Sequence, residues 1–233
     1  MRKRLASAIL ATAGAVAAAV MLSATSALAT APTTWTASPG GSYTSSLAST
    51  TATLTDTTAG QSITCTAETD AGTINSSASG SPAVIGTITS SIFSNCTDSL
   101  GDPGWGATSS GTWDLNGVHF QATDGTGTTC ADNGVTCGTI TNVVSNVSGT
   151  ILGAPCSFTV SGSVGTSSVT ESASDLPVTY TNSSGDLFVP NTTTLTVSGV
   201  NGCDGIINDN DVAEFTGTFA VSPTQTITGT PAG

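Results

Sequence analysis

Few side chains in this 233-residue chain could do chemistry. His119 is its single histidine. Any serine–histidine–aspartate relay would run through it, yet no Gly-x-Ser-x-Gly turn exists to present the serine. Every Lys and Arg lies in Arg2-Lys3-Arg4. The remaining residues therefore offer no amine for a Schiff base and no guanidinium for a phosphate or oxyanion. Glycoside hydrolysis needs only two carboxylates, but spacing picks out no pair among the fifteen Asp and Glu. The inventory points to a non-catalytic protein, with a carboxylate-dependent hydrolase as the last alternative.

Two binding readings stand beside it. Asn208-Asp-Asn-Asp211 and Glu214 bring hard oxygen ligands close together, so Asp209, Asp211 and Glu214 form a candidate Ca²⁺ site. Their spacing departs from the twelve-residue calcium loop. A polar turn entering the final strands is the favoured reading, and no cofactor is expected. Trp105 lies in Asp102-Pro-Gly-Trp-Gly106, which reads as a loop. An exposed indole there would stack on a carbohydrate or a small apolar ligand; the alternative is an indole folded back onto the sheet.

Six cysteines, an even number, allow fifteen pairings. No Cys-x-x-Cys occurs, so structural disulfides are expected rather than zinc or redox chemistry. Cys130 and Cys137 flank an Asn133-Gly134 turn, which would set them facing across a hairpin. The other four split into early and late pairs. The expected set is Cys65–Cys96, Cys130–Cys137 and Cys156–Cys203.

The elements that must hold these residues begin after a targeting head. Arg2-Lys3-Arg4, the apolar run Ile9 to Leu22 and the small residues Ala27-Leu28-Ala29 read as a signal peptide over 1–29. The mature chain would start at Thr30 and be secreted. It has all fifteen acids and no base, a formal charge of −15 with histidine neutral. Such a body repels phosphate backbones and anionic lipid, so no nucleic acid and no membrane partner is expected. One consequence is directly measurable. Trypsin should leave the reduced, unfolded mature chain intact; a ladder of fragments on a gel would show that the chain starts elsewhere.

Of residues 30–233, 72 of 204 are Ser or Thr. Apolar and β-branched residues still alternate with period two, which argues against disorder. The clearest strands are Ser62–Thr66, Gly86–Phe93, Cys156–Val164, Pro177–Thr181, Asp186–Val189, Thr193–Val200 and Glu214–Val221. About twelve short strands imply an all-β antiparallel sandwich or barrel, disulfide-stabilised, in one domain over 30–233, with a junction near 123–138 that would divide it into two halves. Trp113 to Phe120 contains Asn116-Gly117. This reads as a two-residue hairpin turn setting Asp114 opposite His119; the competing form is one long strand bulged at Gly117. Ile206–Phe215 has room for one helical turn.

Trp35-Thr-Ala-Ser-Pro-Gly-Gly41, Leu54-Thr-Asp-Thr-Thr58 leading to Ile63-Thr-Cys65, Trp113-Asp-Leu-Asn116, and Cys203-Asp-Gly-Ile-Ile-Asn208 running into Phe215-Thr-Gly-Thr-Phe219 resemble a group of small secreted β-rich proteins of Streptomyces and related actinobacteria. The resemblance spans most of the mature chain and implies a secreted all-β protein; it supplies no catalytic residues. The segment between Cys130 and Cys137 is extra to that pattern. Neocarzinostatin-type apoproteins share the acidic, disulfide-bonded β character but are about half this length, with no matching motif. The role expected is structural or interactive, at the cell envelope or in the medium.

Overall fold

Buried and exposed residues alternate with period two along most described elements, the signature of strands with one face inward. The computed structural model describes residues 32–120, 134–162, 176–191 and 195–231. The predicted signal peptide and Cys130 lie outside them. Sixteen strands follow in order: β1 (Pro32–Ser38), β2 (Gly41–Leu47), β3 (Ala52–Asp56), β4 (Gln61–Ile74), β5 (Ser77–Ser79), β6 (Ala83–Asp98), β7 (Pro103–Ser109) and β8 (Trp113–Phe120). Then come β9 (Val135–Thr141), β10 (Val144–Ile151), β11 (Ala154–Ser161), β12 (Leu176–Thr181), β13 (Asp186–Val189), β14 (Leu195–Gly202), β15 (Val212–Ser222) and β16 (Thr226–Pro231). The expected all-β antiparallel class holds. The strands outnumber the twelve expected; β2, β5, β7 and β10 are rich in Ser and Gly, which blurs the period-two pattern.

Three strands are long: β4, β6 and β15, with 14, 16 and 11 residues. Each serves two closed rings. The first ring runs β2–β4–β6–β8–β9–β12–β13–β15 and returns to β2. The second runs β3–β4–β6–β7–β10–β11–β14–β15 and returns to β3. The β4–β6 ladder continues from Ile63↔Asp98 to Ile74↔Gly86 and so forms one wall of both. The molecule is a pair of eight-stranded barrels stacked end to end on shared strands. Closure leaves neither barrel with an open edge, and eight strands enclose an interior that side chains can fill.

Irregularities let the shared strands face inward twice. The β4–β6 register shifts at Ala71/Gly72, and Asn95 takes φ 54°. Ile63 and Cys65 are buried in one half of β4; Glu68, Asp70 and Ile74 are buried in the other. Phe93 of β6 meets Phe215 and Phe219 of β15 at ring-centroid distances of 5.4 and 6.2 Å. This aromatic plug fills the waist between the barrels. A three-stranded sheet, β16–β1–β5, caps the first barrel, with Trp35 seated on Gly117.

Two sequence expectations are corrected here. Trp113–Phe120 is one strand, bulged between Gly117 and His119, not a hairpin. Gly117 serves close packing rather than a turn: a Cβ there would lie 2.9 Å from the Trp35 ring. The helical turn sits at Cys203–Gly205, ahead of Ile206. Each ring draws strands from early and late parts of the described chain.

Candidate functional site

The interior spaces are small and apolar. In the second barrel a cavity of about 60 Å³ is lined by residues of all eight of its strands, among them Leu54, Cys65, Phe93, Val147, Val160 and Phe215. The first barrel holds about 40 Å³ beneath Tyr43, Leu115, Val178 and Leu187. A further 20 Å³ lies at the far end of the second barrel, by Asp56, Asp98 and Trp105. One water needs about 10–15 Å³ on this measure, and apolar spaces of this kind stay dry.

Trp105 is buried, 2% exposed, on β7. Its indole N–H donates to Asp98 Oδ2 at 3.2 Å, and its ring lies 6.2 Å from that of Phe158. The exposed platform that sugar stacking requires is therefore not formed; the indole folds onto the sheet. Gly149 of β10 makes room for it, since a Cβ there would fall 2.3 Å from Trp105 Cδ2. Gly149→Ala should cost about 3 kcal/mol in urea unfolding. An unchanged midpoint would mean the ring can move aside.

The Asn208–Glu214 oxygens are largely occupied by their own turn. Asp209 Oδ1 accepts from Val200 N at 3.0 Å, and Asp211 Oδ2 accepts from Asn208 N at 2.7 Å. Glu214 lies on β15 opposite Thr55. Among the described residues, no group of three or more His, Cys, Asp or Glu converges to hold a metal. Asp211 instead stands beside Asp56. Asp56 Oδ1 accepts from the backbone N–H groups of Thr58 and Ala59, both at 2.9 Å. Burial raises the Asp56 pKa, and Asp211 raises it further.

His119 is exposed on β8. Its expected partner Asp114 accepts instead from Asn142 Nδ2 at 2.8 Å, so the histidine–aspartate pair is not formed. Cys65 is bonded to Cys96 directly across the β4–β6 ladder, and Cys156 to Cys203. Both bonds are as expected. Cys137 is also disulfide-bonded; Cys130 lies outside the described residues. No family model, curated protein or solved structure matches the chain.

Sequence reasoning missed the polar cluster at the waist. Glu68 and Asp70 of β4 are 4% and 8% exposed, and Ser91 of β6 is 1% exposed. Asp70 pairs with Ser91 on one side and Ser45 on the other. Ser45 Oγ donates to Asp70 Oδ2 at 3.1 Å. Burial pushes the Glu68 pKa up to about 10, and the neighbouring Asp70 adds to the rise. Burial, then Asp70 and Glu68, raises Tyr43 as well. One signal was present in the sequence: Glu68 and Asp70 share the phase of Ile74, which points inward.

Outside, hydroxyls dominate. Thr36 and Thr228 meet at 2.6 Å, Thr73 and Thr87 at 2.9 Å, and Thr53 and Thr64 at 3.4 Å, each pair crossing two strands. A barrel facing lipid carries the reverse pattern, an apolar outer band.

Proposed function

We propose that this is an exported, non-catalytic β protein with a structural or interaction role at the cell envelope or in the medium, acting through its hydroxyl-covered outer surface. The observation that carries the reading is the contrast between outside and inside. The outer faces present cross-strand threonine pairs, while the cavity of the second barrel is about 60 Å³ and apolar. The disulfides favour an oxidising compartment, and no described helix is long and apolar enough to cross a membrane. The one pair of close carboxylates at the waist is buried, where a substrate has no approach; this favours binding over hydrolysis.

The test is co-sedimentation of the purified protein with isolated cell-envelope material. Wild type should pellet. Replacing the exposed pair, Thr73→Glu with Thr87→Glu, should weaken this by more than tenfold, because two added charges break a neutral hydroxyl surface. Val147→Leu, which fills the cavity of the second barrel, should leave it unchanged. Pelleting that responds to Val147→Leu alone would transfer the function to the interior.

A second reading is favoured by the cavity itself. Its apolar lining suits a small apolar molecule. A thermal shift with a benzene-sized ligand, removed by Val147→Leu, would support carriage of such a ligand.

A further inference from the structure

The waist holds more acidic oxygen than the chain can neutralise. Glu68 Oε1, Glu68 Oε2, Asp70 Oδ1 and Ser91 Oγ are all buried without a hydrogen-bond partner. With both carboxyls ionised, neither has a proton to offer the other. Glu68 stands opposite Phe93 in the β4–β6 ladder, and Phe93 belongs to the aromatic plug. An ionised carboxylate in such a place needs a compensating positive charge. Among the described residues there is no Lys or Arg to provide one. The basic residues are confined to positions 2–4, and the only histidine is exposed on β8.

A proton answers part of this need. On Glu68 it would bridge one of that residue's oxygens to Asp70. The second Glu68 oxygen and Ser91 Oγ would still have no partner. A hard cation accepts lone pairs from carboxylate and hydroxyl oxygens alike, and it brings the positive charge that a proton on one carboxyl cannot share with the rest. Ser91 matters here because it is neutral, 1% exposed, and directly across from Asp70 on the same inward side.

We propose that Glu68, Asp70 and Ser91 form a binding site for a hard divalent cation at the waist between the two barrels. Calcium is the natural probe, since it accepts carboxylate and hydroxyl oxygens in flexible geometry. The site is separate from the Asn208–Glu214 turn. It does not depend on the function proposed for the outer surface. Protons and calcium compete for the same oxygens, so binding weakens as pH falls.

The experiment is calorimetric melting of the whole exported protein, freed of metal with a chelator and then dialysed. At pH 8, calcium at about 5 mM, above the dissociation constants usual for extracellular modules, should raise the Tm by roughly 3–8 °C. Titration calorimetry at the same pH should give one site per chain. At pH 4 the rise should vanish. Glu68→Gln keeps the shape of the side chain and should fold, yet lose the calcium response; Ser91→Ala should reduce it. Glu214→Gln should keep it in full. No rise and no binding heat at pH 8 would overturn the proposal, as would a response that survives Glu68→Gln. A response lost in Glu214→Gln would move the ion to the turn and overturn it equally.

Discussion

Acidification should stabilise this protein. In calcium-free buffer the Tm is expected to be highest near pH 4 and to fall by roughly 5–10 °C by pH 8. The sign follows from the raised acids. The Glu68 pKa is about 10 in the folded chain against an ordinary 4.5, so the folded state holds a proton that the unfolded state releases. The stabilising contribution is complete below about pH 4.5 and is lost progressively as pH rises toward 10. Asp56, raised by burial and by Asp211, acts in the same direction. So does the general charge, because fifteen acids without internal counterions repel one another more strongly as they ionise. Most proteins behave oppositely in acid, where neutralised carboxylates leave the positive charge of Lys and Arg unbalanced; here those residues are confined to the first four positions. Glu68→Gln should flatten the profile. A wild-type Tm that rises from pH 4 to pH 8 would refute the account.

Removing the Cys156–Cys203 bond should be the most damaging of the cysteine changes. The two positions are 47 residues apart, for which the chain-entropy model gives about 4 kcal/mol, against roughly 2.5 for a loop as short as that from Cys130 to Cys137. Domains of this size have total stabilities of about 5–15 kcal/mol. The bond also sits where the backbone is least relaxed. Gly202, Cys203, Asp204 and Gly205 all have positive φ, from 48° to 76°, and Cys203 and Asp204 are L-residues that rarely adopt it. Cys203 is fully buried, so the sulfur anchors this left-handed run to β11. Cys156→Ser should therefore lower the yield of folded exported protein several-fold, and Cys130→Ser much less. Equal yields would show that packing alone holds the run.

Where period two was clean, the sequence was readable. Asp186–Val189 appears as a strand with the same bounds, and Pro177–Thr181 and Thr193–Val200 differ by one or two residues at their ends. Glycine misled elsewhere, because it has two uses that composition cannot separate. At Gly117 and Gly138 it admits a neighbouring ring or carbonyl, not a turn. In Pro103-Gly-Trp-Gly106 it lies within a strand whose tryptophan is buried. The waist acids were illegible for a different reason. Glu and Asp ordinarily mark the outside of a strand, and only closure of both rings turns that face of β4 inward. Closure depends on β15 reaching β2, β3, β13 and β14, contacts that no local window contains.

That dependence also sets a schedule. β15 begins at Val212, so more than nine-tenths of the chain precedes the strand that closes both rings. Of the ring strands, the two earliest, β2 and β3, complete their pairing only with β15. A nascent chain interrupted before Val212 lacks β15 and so closes neither ring. Such long-range pairing folds slowly. Under the export proposed above, in which only unfolded chain passes a translocation channel, this delay would be an advantage, because the rings cannot close until β15 follows the early strands through.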